Sequence, residues 1–106
     1  GYVDDVRFAR QFAEDKRLLE EWGADRIARR LTALGVAPEI VRDVVGARAA
    51  EDERAAAIAL LRRRYPRLGD DPREQRRALG LLARKGYDAE LAGEVVRAHA
   101  RGELDD

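Results

Sequence analysis

His99 is the only histidine of this chain and Thr32 its only threonine, and it contains neither serine nor cysteine. Nucleophilic catalysis would therefore rest on one weakly placed hydroxyl and no thiol. A lone histidine without cysteine needs several converging carboxylates to hold zinc, and none stands near His99 at ligand spacing. His99 reads instead as a partly exposed residue at a helix C-terminus, where a positive ring suits the helix dipole. The glycines are dispersed, most of them at helix ends, with no glycine-rich phosphate loop. The acid pairs Asp4-Asp5, Glu20-Glu21 and Asp70-Asp71 fall at helix starts or ends, where capping and solvation account for them. No catalytic residue, metal site or cofactor is expected, and the chain reads as a non-enzyme.

The side chains with recognisable chemistry are the arginines. Residues 62–85 carry nine basic and three acidic side chains, against ten and twelve in 1–61 and two and six in 86–106. A formal net charge of zero thus hides a basic segment and an acidic tail. At helical spacing Arg73, Arg76, Arg77 and Arg84 share an arc of about 100°. Gly80 sits in the middle of that arc, Ala78, Leu79 and Leu82 lie opposite, and Lys85 follows Arg84 at the helix end. Glycine there costs about 1 kcal/mol of helix stability, so Gly80 is expected to let something come close. Arg62, Arg63, Arg64 and Arg67 extend the basic segment upstream, and Arg26, Arg29 and Arg30 line the outer face of an earlier helix. Guanidinium forks suit the phosphates or carboxylates of a partner; the plainer alternative is a solvated face of a charge-rich protein. No aromatic residue interleaves with the arginines of 72–85, which argues against a base-stacking platform. Trp22, before a helix-breaking glycine, is expected to close the edge of a core.

The elements that must position these side chains are helices. Charged residues make up 40% of the 106 residues and aromatics 6%, in an Ala-, Leu-, Arg- and Glu-rich sequence. No apolar run is long enough to span a membrane, no signal peptide is visible, and a cytoplasmic location is expected. Six helices are predicted. The first covers 4–21, with Phe8, Phe12 and Leu19 as its buried stripe, and ends at Trp22-Gly23. The second covers 24–34, buries Ile27, Leu31 and Leu34, and stops at Gly35 as a left-handed cap. Pro38 opens the third, with Ile40, Val41, Val44 and Val45 on one side. The fourth covers 48–64, with Ile58, Leu61 and Tyr65 inward. Asp71-Pro72-Arg73-Glu74 is a start signal for the fifth, which runs to Lys85 and ends at Gly86. Asp88 caps the sixth, with Leu91, Val95 and Ala98 inward.

These helices fall into two similar trios. Residues 26–45 realign on 77–96 at a shift of 51, matching Arg26 with Arg77, Leu31 with Leu82, Gly35 with Gly86, Glu39 with Glu90, Val44 with Val95 and Val45 with Val96. A fixed period of this kind marks a stacked array of supersecondary units. The expected architecture is all-α and elongated, with tandem three-helix repeats at 1–46 and 48–101 and a frayed tail at 102–106. Such arrays present long surfaces rather than pockets.

The segments GYVDDVRFARQF, WGADRIARRLTALGV and ARKGYDAELAGEVV together resemble the RecX family, regulatory proteins of the RecA recombinase. Each motif is helix punctuation; their order and spacing carry the resemblance, which covers nearly the whole chain. It implies tandem three-helix repeats, typically three, of which these are the second and third. Gly1-Tyr2 then resembles the Gly86-Tyr87 turn without its surrounding repeat, and the chain reads as a fragment with more protein upstream. The chain departs from the family pattern at Arg29-Arg30, where an acidic residue is expected. The resemblance further implies a monomeric, non-enzymatic modulator, usually an inhibitor, that binds the RecA nucleoprotein filament, lowers its ATPase and strand exchange, and binds DNA only weakly. The arginines named above, with Lys85, are the expected contacts. The alternative is a helical nucleic-acid-binding module with no recombinase partner.

Overall fold

The computed structural model describes residues 1–104. They form six helices and no strand: α1 (Tyr2–Leu19), α2 (Ala24–Ala33), α3 (Pro38–Gly46), α4 (Ala50–Arg64), α5 (Pro72–Lys85) and α6 (Ala89–Ala100). In the first trio α3 lies against both α1 and α2; in the second α6 lies against both α4 and α5. Each trio has its own core. One gathers Ala9, Ala13, Trp22, Ile27, Leu31, Ile40, Val41 and Val44. The other is built around Leu60, Leu61, Leu68, Leu82, Tyr87, Val95 and Val96. The two sit side by side in a body of 51 × 26 × 21 Å.

Helix ends follow the local chemistry. The Asp71 carboxylate accepts from the Arg73 amide at 3.0 Å, and Asp88 accepts from the amides of Glu90 and Leu91 at 3.1 Å each. Gly35 (φ 87°) and Gly86 (φ 99°) are left-handed caps. In both turns the following amide reaches back five residues, Val36 to Leu31 O and Tyr87 to Leu82 O. The same device recurs at Gly102 (φ 72°), where the Glu103 amide reaches Ala98 O and Arg101 pairs with Glu103. Residues 102–104, expected to fray, thus form a bonded turn; Asp105 and Asp106 lie outside the described residues.

Three expectations about burial need correcting. On α1, Phe8 is 47% and Leu19 73% exposed, while Ala9 and Ala13 are fully buried. Alanine lets α3 approach closely, and a trio leaves α1 one face without a neighbour, so its bulkier apolar residues stay outside. Leu34, 46% exposed, has passed beyond the last turn of α2 and misses the core that Ile27 and Leu31 fill. His99 is buried rather than half-exposed. It continues the inward stripe of Ala92, Val95 and Val96, and its Nε2 lies 2.6 Å from the Tyr65 carbonyl. A carbonyl only accepts, so Nε2 carries the hydrogen, and the bond ties α6 to the residue at which α4 ends.

Candidate interaction surface

The arginines are placed by the way the two trios meet. The turn between α1 and α2 in the first abuts the C-terminal end of α5 in the second. The Gly23 amide donates to Lys85 O at 2.7 Å and the Asp25 amide to Gly86 O at 2.9 Å. The bare carbonyls ending α5 thus satisfy bare amides at the start of α2, negative pole against positive pole. Contact this close demands glycine on both sides. A Cβ on Gly23 would lie 2.6 Å from Gly86 O, and one on Gly86 would lie 2.3 Å from Cβ of Arg26.

Polar side chains complete the joint. Glu53, in the first turn of α4, accepts from the Ala24 amide at 2.7 Å through Oε2 and from Arg48 at 3.2 Å through Oε1. Lys85 Nζ donates to Glu20 O at 2.8 Å, and Arg63 pairs with Glu21. Tyr87 is buried beneath this cluster with its hydroxyl 3.4 Å from Glu21 O. Burial, and secondly the Glu53 carboxylate, hold the Tyr87 phenol above its usual pKa. Arg17 leans over the end of α3 toward the Val44 and Val45 carbonyls at 3.4 and 3.5 Å, with Nε buried and unpartnered. Burial, then the nearby Arg48 charge, pulls its guanidinium below the usual value.

The expected contact residues therefore separate. Arg26, Arg63 and Lys85 are drawn into the joint. Arg26 lies over the Trp22 ring at 4.2 Å and donates to Arg84 O at 2.9 Å. Trp22 is buried at the core edge as expected, edge-on to Phe12 at 6.1 Å, with Lys16 over it at 4.8 Å. Arg62 is half-buried on the outer side of α4, beside Ile58, Glu103 and Leu104. Arg64 ends α4, and Arg67 sits in the loop leading to α5; both are exposed. Arg73, Arg76, Arg77 and Arg84 stand exposed on α5, and Arg29 and Arg30 on α2. The space over Gly80 is taken by the chain's own Arg84, whose guanidinium would lie 3.0 Å from a Cβ there. Sequence reasoning missed Glu53, Glu21 and Arg17, because nothing local marks a carboxylate that caps a helix 29 residues upstream.

Comparison with known proteins completes the picture. The profile of the RecX second three-helix domain matches residues 4–45, and that of the third three-helix domain matches residues 51–96. The chain belongs to the RecX family. The regulatory protein RecX of Mycobacterium avium (strain 104) is 36% identical over 106 residues, covering 97% of this chain and 61% of the relative. The RecX proteins of Mycobacterium bovis (strain BCG / Pasteur 1173P2) and Mycobacterium sp. (strain KMS) are 36% and 33% identical, each covering 97% of this chain and 63% and 60% of the relative. The chain spans about three-fifths of the length of these RecX relatives. No solved structure matches it. The two trios are thus two tandem RecX three-helix domains, and no helix among the described residues is long and apolar enough to cross a membrane.

Proposed function

We propose that this chain is the part of a cytoplasmic, non-enzymatic regulator that binds the RecA recombinase filament on DNA and lowers its ATPase and strand exchange. The observation that carries the reading is the pair of RecX domains locked into one 51 Å body with exposed arginines on both. A body of that length can touch several protomers of a helical filament, so weak contacts add through effective concentration. The exposed arginines supply charge for anionic partners on the filament.

The test is recombinase ATPase on single-stranded DNA with and without the chain. The expected result is a lower rate at near-stoichiometric chain, and co-sedimentation with the filament. Unchanged ATPase together with no filament binding rejects the proposal. Reversal of Arg73, Arg76 and Arg77 to Glu is expected to weaken inhibition while helicity by circular dichroism stays the same.

A further inference from the structure

The joint between the two domains has a donor half and an acceptor half. The donor half is the turn into α2, which offers the Gly23 and Asp25 amides; the acceptor half is the turn out of α5, whose Lys85 and Gly86 carbonyls receive them. The first domain carries an acceptor half of its own. Gly35 is left-handed like Gly86, and the amide after each reaches back five residues, so Leu34 and Gly35 stand where Lys85 and Gly86 stand. Within this chain, however, nothing lies within 4 Å of a Cβ placed on Gly35. Among the described residues no backbone amide donates to Leu34 O or Gly35 O. The negative pole of α2 is thus left without the positive pole that α5 meets. A carboxylate stands ready beside it by register. Glu53, the fourth residue of α4, accepts from the Ala24 amide of the donor turn, and the fourth residue of α1 is the exposed Asp5. By the same register exposed Tyr2, Val3 and Leu34 replace Ala50, Glu51 and Lys85, an apolar set where the inner joint is polar.

What fits an acceptor half is a helix start with bare amides and no Cβ at its cap. Two turns hold that place in this chain, one in each domain, and neither is free. The turn into α2 is engaged at Gly86. The turn into α5 is blocked. Its Asp71 carboxylate already accepts from the Arg73 amide at 3.0 Å, and Pro72 has no amide to give. Asp71 also carries the Cβ that on Gly23 would lie 2.6 Å from the facing carbonyl. A second copy of the chain therefore has no donor turn to offer. A longer protein has one: the domains matched here are the second and third three-helix domains of the family, and the chain spans about three-fifths of the length of its relatives. We infer that the Gly35 turn, with Asp5 and Leu34 beside it, is a docking socket for the turn between the first two helices of a three-helix domain that precedes this chain in the full-length protein. The contact is backbone to backbone, helix end against helix start, as at Gly86. The array is then directional, open at its first domain and closed at its second by Asp71 and Pro72.

The experiment is hydroxyl-radical footprinting, read by mass spectrometry, on this chain and on the full-length protein in which such a domain precedes it. Leu34 is expected to be oxidised several-fold less in the full-length protein, while Leu18 and Leu19, exposed at the far end of α1, are labelled equally in both. Gly35→Ala puts a Cβ into the socket, as a Cβ on Gly86 would strike Arg26. In the full-length protein it is expected to return Leu34 to the labelling seen in the chain alone, and in the chain alone to leave that labelling unchanged. If circular dichroism shows that this variant does not fold, Asp5→Ala, at an exposed site, takes its place and is expected to restore part of the labelling. Equal labelling of Leu34 in the two proteins, or full protection of Leu34 in the folded socket variant of the full-length protein, overturns the inference. Protection in the chain alone that grows with its concentration, with dimers in sedimentation velocity, overturns it in favour of a second copy. No arm contains recombinase or DNA, so failure of the socket leaves the filament reading standing.

Discussion

Gly35 and Gly86 hold the same place in their domains and the same conformation, yet they face different worlds. Both are left-handed, and both are followed by an amide that reaches back five residues. Around Gly35 there is open space; against Gly86 is pressed the backbone of Arg26. The contrast runs through the domains. Both described aspartate caps, Asp71 and Asp88, belong to the second, as does the buried His99 tether, whereas the exposed large apolar side chains all belong to the first. Two domains of one pattern therefore use it differently. The second turns its cap into one half of a joint, and the first keeps the equivalent cap as plain turn chemistry. Local geometry is repeated; the environment that gives it a role is not.

The largest effect is expected from matched core truncations. Leu31→Ala and Leu82→Ala remove equivalent, fully buried side chains, and each is expected to lose about 2–5 kcal/mol in denaturant unfolding. Because the domains share a hydrogen-bonded joint, both variants should shift one common transition; two separate transitions would break the picture of a coupled pair.

The glycines come next. Gly86→Ala is expected to cost more than about 2 kcal/mol, since it adds contact with Arg26 to left-handed strain, and Gly35→Ala only about 1 kcal/mol, from strain alone. Equal losses in the same unfolding measurement would erase the distinction drawn above.

Capping separates the domains by less. Asp88→Ala is expected to lose about 1 kcal/mol, and Ala37→Asp, which places the same cap at the equivalent position of the first domain, to gain up to about 1 kcal/mol. Thermal unfolding reads both.

The smallest effect is on pH dependence. The Tyr87 phenol is held above its usual value by burial, so the folded state favours the neutral ring. That contribution is fully present below the unfolded value of about 10 and is lost as pH rises through the folded one. Stability followed upward from neutral pH should therefore fall in the alkaline range, and Tyr87→Phe should shallow the fall. An unchanged slope in that variant would remove Tyr87 from the buried side of the joint.

Much of this was legible in the residues. Punctuation located the helices, because Pro38, Pro72, Asp71, Asp88, Gly35 and Gly86 act through backbone geometry that each carries locally. The 51-residue period declared two trios, and the order of the motifs declared the family. Burial was read less well where size stood in for position. Phe8 and Leu19 outrank Ala9 and Ala13 in hydrophobicity, but the close contact of α1 with α3 favours the small residue. His99 was on the inward stripe of its helix all along; what the sequence withheld was the Tyr65 carbonyl waiting for it.

By itself the sequence determined where helices start and stop, which trio repeats the other, and which segments hold the arginines, since these depend on neighbours a few residues away. Tertiary structure alone decided that Arg26, Arg63 and Lys85 fasten the two domains while Arg29, Arg30 and the α5 stripe stay outside. The reason is that the deciding contacts join groups 42 to 65 residues apart, and a side chain's partner at that range is set by how helices dock, not by what flanks it.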